Sequence, residues 1–188
     1  LFKERRMGAF HMKDFWVHSI GTACCCNVIA EKSKKDHCEL YFVCGLLHDI
    51  GKIALSVLAE RDFAKILRKA EKKQIKFADA EYEVFGQNLH ESASGWLAEA
   101  WKLPPRIAAG VAAHHRVENE DGCSDYSAAV SVSNYLCHKY NMGHSGDFST
   151  PVLSDRAMAY FPETDIHAVE EKFVADLEKT SGLADILA

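Results

Sequence analysis

Ten histidines occur in 188 residues, and several recur where a helical period carries apolar side chains. Along one stretch Phe15, His18, Thr22, Cys26 and Ile29 share a face, and along the next Leu40, Cys44, Leu47 and His48 do. Further on His90, Ala93, Leu97 and Trp101 line up, followed by Ile107, Val111 and His114. A lone histidine on such a stripe is most simply a core residue satisfied by a backbone carbonyl or a neighbouring side chain. Four helices that each turn an imidazole inward are different, because the rings compete for partners where water is excluded. A divalent cation resolves that competition, and Asp49, next to His48, supplies compensating charge. By contrast His11, His37, His138, His144 and His167 lie at helix ends, in loops or among charged neighbours, and are expected to face solvent.

The donor types restrict the metal. Imidazole and carboxylate without thiolate suit iron, manganese, zinc or, with fewer histidines, magnesium. With His115 beside His114 the candidates are His18, His48, Asp49, His90, His114 and His115, more than the four donors of a structural zinc. A two-metal centre bridged by Asp49 is the economical arrangement, and such pairs activate water against phosphoesters.

Helices must position these side chains. Four prolines and eleven glycines interrupt the chain, and the stretches between them repeat apolar residues at three and four positions, so the fold is expected to be all-α. The pattern predicts helices over Lys13 to Ser33, Asp36 to Ile50 with Gly51 closing it, and Glu60 to Lys73. It continues with Asp79 to Phe85, a helix capped by Asn88 and running to Trp101, and one from Pro105 to about His115. Arg116 to Asp125 reads as a loop, Tyr126 to Tyr140 as a helix, His144 to Pro162 as irregular, and Glu163 to Leu187 as a last amphipathic helix. No internal repeat or low-complexity tract is visible.

Composition narrows the class. At 48% apolar and 26% charged residues the chain can bury one domain's core. A net charge of −5 argues against general nucleic-acid binding, which shows as a basic surplus. No run of consecutive apolar residues reaches membrane-spanning length, and LFKERRMGAF lacks a signal core, so no membrane association and a cytoplasmic location are expected. Seven cysteines, three of them consecutive, lack both disulfide-framework and zinc-ribbon spacing. Cys24, Cys25, Cys26, Cys38, Cys44 and Cys137 read as small buried filler. The first residue is Leu1, so residues 1–12 are expected to be the remnant of a longer or trimmed chain, and residues 13–188 the domain.

The segment YFVCGLLHDIGKIAL resembles the HDxGK core of the HD superfamily of metal-dependent phosphohydrolases. The succession DFWVHSIGTA, GLLHDIGK, FGQNLHESASGWLAEAWKLPPRI and AAHHR, spanning roughly Asp14 to Gly143, resembles the HDOD domain, the HD-related output domain of bacterial signalling proteins. The resemblance implies a helical bundle with an inward-facing metal centre. It implies that His18 and His48 serve one metal, that His90, His114 and His115 serve the other, and that Asp49 bridges. It places Lys52 near the metals, holding a phosphate oxygen or helping a leaving group, whereas taken alone Lys52 reads equally as a solvated lysine one turn past a helix end.

Two departures bear on activity. Asn134 stands where the family's final Asp would, and an amide oxygen can coordinate weakly but brings no charge. The His-His pair is followed by RVENEDGCSD rather than the GYP signature, so cyclic di-GMP hydrolysis is not indicated. Two functions follow. One is a metal-dependent phosphohydrolase acting on a nucleotide or phosphodiester, with Asp49 and Lys52 in catalytic roles. The other, which the departures favour, is a metal-binding signal-transduction module whose partner is a phosphate-containing small molecule or a signalling protein. One or two ions, iron or manganese before zinc or magnesium, are expected in either.

Overall fold

The computed structural model describes residues 6–7, 10–117 and 124–180. Among them the chain is helical apart from an antiparallel pair of two-residue strands, β1 (Arg6–Met7) and β2 (Phe10–His11). The helices are α1 (Met12–Lys32), α2 (Cys38–Leu47), α3 (Ile50–Leu58), α4 (Glu60–Lys73), α5 (Phe77–Phe85) and α6 (Leu89–Ala100). They continue with α7 (Pro105–Val111), α8 (Asp125–Lys139), α9 (Asp155–Met158) and α10 (Ile166–Thr180). The segment Glu118 to Cys123 of the expected loop, and the expected end of the last helix beyond Thr180, lie outside the described residues.

The first helix buries the stripe read from its sequence, with Phe15, His18, Thr22, Cys26 and Ile29 all inside. Its polar members are satisfied locally: Ser19 Oγ donates to the Phe15 carbonyl (2.9 Å) and Thr22 Oγ1 to the His18 carbonyl (3.0 Å). The residues of α4 match the expected span, with Glu60 and Asp62 in its first turn and Lys72 and Lys73 in its last, each sign favourable to the helix dipole.

The second helix departs from expectation. Gly51 does not close it; α2 ends at Leu47, the chain turns through His48 and Asp49, and Gly51 lies inside α3. Close approach is the reason for glycine here, since a Cβ would overlap the His90 carbonyl and stand 2.8 Å from Ser94 N. The exposed side of α6 is also turned from the expected one: Ser94, Gly95 and Ala98 are inward and Trp101 is half-exposed. Small residues face the neighbours because α3 and α7 both pack tightly on α6. The stretch expected to be irregular contains the short α9, started by Ser154 Oγ accepting from Ala157 N (2.8 Å).

Two apolar clusters result. One joins α1, α2, α7, α8 and α10 through residues such as Cys26, Ile29, Tyr41, Val132, Leu136 and Phe173. The other joins β2, α1, α4 and α5 through Phe10, Phe15, Phe63, Ile66, Leu67 and Phe77. Four of the cysteines are filler as expected, Cys25, Cys26, Cys44 and Cys137 being fully buried, while Cys24 and Cys38 are half-buried. Burial pushes the Cys25 thiol up to about 12, which keeps it protonated and unreactive.

Cys38–Leu58 is, by length and composition, long and apolar enough to cross a membrane. At its middle it carries His48, Asp49 and Lys52, all buried among protein partners. Such groups are costly in hydrocarbon, and here the stretch is a core segment bent at the His48-Asp49 turn.

Candidate metal centre

His48 and Asp49 occupy the turn between α2 and α3, where His48 is still helical and Asp49 begins the next helix at φ −103, ψ 8. Two glycines flank the pair and let the flanking helices close. At Gly45 a Cβ would stand 2.7 Å from Ala23 Cα, so α2 can lie against α1 and bring His18 near. Gly51 does the same for α3 against α6, which carries His90. Ser94 Oγ ties the turn to α6, donating to the His48 carbonyl (2.8 Å) and accepting from Gly51 N (2.9 Å). One side-chain hydroxyl of α6 thus satisfies a carbonyl and an amide of the turn.

The six candidate ligands come together in two groups that share Asp49. His18, His48 and Asp49 form one, and Asp49, His90, His114 and His115 the other, with one donor atom of each residue within 4.8 Å of the rest of its group. Asp49 Oδ2 lies 3.2 Å from His48 Nε2, and Asp49 Oδ1 lies 3.7 Å from both His90 Nε2 and His114 Nε2. The imidazoles are oriented from behind. His48 Nδ1 donates to the Gly45 carbonyl (2.7 Å), His114 Nδ1 to the Val111 carbonyl (2.9 Å) and His90 Nδ1 to Glu81 Oε2 (2.5 Å). In a neutral ring whose proton sits on Nδ1, Nε2 keeps a lone pair on the side that faces Asp49, which is how second-layer acceptors prepare histidine for a metal.

His18 Nδ1 and Nε2, Asp49 Oδ1 and the Nε2 atoms of His48, His90, His114 and His115 are all buried without a hydrogen-bond partner. Buried polar atoms are rarely left so, and these converge. Burial lowers the pKa of His18 to about 3, with His48 and His138 adding to the effect. Burial likewise lowers His48 and, with His114 and His90 nearby, holds His115 well below its ordinary value. Burial opposes charge on His114 too, but Asp49 and Glu91 outweigh it and raise that pKa. Burial would raise Asp49; His48 and Lys52 prevail and keep it ionised. Imidazoles gathered around one ionised carboxylate are the donor set that a divalent cation takes, so the residues present fit a bound metal.

Lys52 is not the solvated lysine its position beyond the expected helix end allowed. Its side chain has no exposed area, and Nζ donates to Asp49 Oδ2 (2.8 Å), Asp147 Oδ2 (3.3 Å) and Ser145 Oγ (3.4 Å). It also stands 5.0 Å from the Phe77 ring centroid. An ammonium has three N–H donors, and all three are engaged. Asn134 is buried with its Oδ1 unpartnered and, with His114 and His115, lines a cavity of about 440 Å³.

Several participants were not singled out in the sequence. Glu81 grips His90 at two points, accepting from His90 N (3.0 Å) and from Nδ1. It lies on the buried face of α5 with Phe77 and Ala78, a visible signal for an inward acid. Glu91 Oε1 accepts from His115 N (2.8 Å) and lies 3.6 Å from His114 Nδ1. Asp147, in an irregular segment without periodicity to betray it, accepts from Phe77 N (2.7 Å) and Ser145 Oγ (2.9 Å) besides Lys52. His138, expected to face solvent, is largely buried: its ring is 5.3 Å from that of His18 and its Nε2 is 3.6 Å from Asp147 Oδ2. One turn after Asn134 on α8, it shares that residue's inward face. His144 is half-buried, whereas His37 and His167 are exposed as expected.

A helical bundle that turns a histidine-aspartate pair and four further histidines into its interior defines an HD-type domain. The family profile of the HDOD domain matches residues 1–117, and the chain belongs to that family. Three solved structures share the fold. One is an HDOD domain protein of unknown function from Geobacter sulfurreducens, with TM-score 0.74 and 24% identity, covering 96% of this chain and 64% of its own. Another is a candidate signal transduction protein from Marinobacter aquaeolei VT8, with TM-score 0.77 and 17% identity, covering 92% of this chain and 39% of its own. The third is a candidate phosphohydrolase from Shewanella amazonensis SB2B, with TM-score 0.73 and 17% identity, covering all of this chain and 67% of its own. The chain thus spans less than two thirds of the first two. A search of curated proteins finds no match.

Proposed function

We propose that this HDOD domain acts in signal transduction as a metal-binding module holding two divalent cations, iron or manganese before zinc or magnesium. His18 and His48 would hold one ion, His90, His114 and His115 the other, and Asp49 would bridge them. The observation that carries this reading is the convergence of buried, unpartnered imidazole nitrogens on Asp49. Among these ligands only Asp49 is anionic, and Asn134 adds no charge. The carboxylates of Glu81 and Glu91, set behind His90 and His114, supply negative charge one layer out.

A second reading, hydrolysis of a phosphoester, is favoured by the cavity of about 440 Å³ that reaches His114 and His115. Divalent cations in such a pair supply Lewis acidity toward water and a phosphoryl oxygen. The chain's own part would be to hold His18, His48 and His115 neutral by burial, to keep Asp49 ionised through Lys52, and to exclude bulk water. Both readings meet one experiment: the protein reconstituted with iron or manganese is assayed against nucleotides and phosphodiesters, beside Asp49→Ala. Metal-dependent turnover abolished in the variant establishes the hydrolase; retained metal without turnover supports the signalling module.

A further inference from the structure

Two clefts lead from the surface to the histidine cluster. One, of about 690 Å³, is lined by residues including Lys76, Asp79, Tyr82, Asn88, His115 and Arg116. The other is the cavity of about 440 Å³ lined by Lys76, His114, His115, Asn134 and Asp155 among others. Two residues belong to both: His115, whose buried Nε2 has no partner, and Lys76. Lys76 thus lines both clefts that reach the His115 end of the centre.

Lys76 has an ammonium to offer there. Its side chain is about one third exposed, and its partner Asp79 Oδ1 is 3.8 Å away, a loose surface pair of little strength. The alternatives are committed. The Lys52 donors are spent on Asp49, Asp147 and Ser145, and Arg116 pairs with Glu91 and the Ala112 carbonyl. The acidic Asp79 and Asp155 at the openings repel a run of phosphates, which limits the ligand to one phosphoryl group.

We propose that Lys76, rather than Lys52, is the lysine that contacts phosphate, receiving a single phosphoryl group where the two clefts converge on His115. Lys52 is a positioning residue that holds Asp49. The assignment rests on the two-metal reading above, because the metal end of the site is what the phosphoryl group would approach.

The test is calorimetric titration of inorganic phosphate into the metal-reconstituted chain, with metal content measured on the same samples. Lys76→Gln is expected to retain the wild-type metal content and weaken phosphate binding about tenfold, the order of one charge-assisted contact. Lys76→Arg is expected to restore most of the affinity. Equal phosphate affinity in wild type and Lys76→Gln, with metal in place, overturns the lysine assignment alone, as does a metal-loaded wild type that binds no phosphate. A wild type that takes up no metal overturns the two-metal reading, and this assignment with it.

Discussion

Removing the Lys52 ammonium would leave Asp49 and Asp147 as buried carboxylates without their shared cation. In the metal-free protein Lys52→Met is therefore expected to cost about 3–5 kcal/mol, the usual penalty for stranding a buried charge. Urea denaturation measures it, and a loss under about 1 kcal/mol would contradict a fully desolvated pair. Glu81 makes the complementary case for the metal. Glu81→Gln keeps an acceptor for His90 but removes the charge behind it, so metal affinity is expected to fall about 10–100-fold with the helical circular dichroism unchanged. A metal titration that matches wild type would show that Glu81 serves only packing. At this scale the sequence was legible where a helical period enforced burial, as with His18, His48 and His114. It was opaque for Lys52, whose burial depends on Asp147 and Ser145 nearly a hundred residues away.

Among the elements, the turn between α2 and α3 decides the site, since it aims His48 and Asp49 while Gly45 and Gly51 let α1 and α6 approach. Gly51→Ala forces a methyl group into the His90 carbonyl, a backbone atom that cannot yield as a side chain would. A stability loss of about 1–3 kcal/mol or more is expected, with weakened metal uptake because His90 shifts. Normal stability and metal content in that variant would mean that α3 and α6 are less tightly apposed. The glycine was visible in the sequence, but its reason was not. A helix-closing glycine and a close-packing glycine look alike until the partner helix is known, and α6 likewise hid its inward face because small residues, not Leu97 and Trp101, carry the contact.

Across the whole molecule the centre lies where the two apolar clusters meet. His90 stands edge-on to Phe77 of one cluster, at 5.6 Å between centroids, and Thr22, one turn after His18, touches Cys137 of the other. Metal bound there ties both halves to the folded state. At a free metal concentration a hundredfold above Kd the gain is about 2.7 kcal/mol. For a domain of this size that gain corresponds to a melting-temperature difference of about 5–11 °C. Chelation of the reconstituted protein is expected to lower its Tm by that amount; an unchanged Tm would place the ions, if any, outside the core. The helical class and the clustering of histidines were readable from the sequence because both are periodic patterns. The organisation into two clusters was not, since it is set by Phe10, Phe63 and Phe77 meeting from separate elements.

Elemental analysis of the purified protein tests the proposed metal pair bridged by Asp49 most directly. The expected result is two divalent ions per chain, falling on substitution of Asp49 by Ala while the fold persists. A folded wild type that holds no metal after reconstitution with iron, manganese, zinc or magnesium would contradict it.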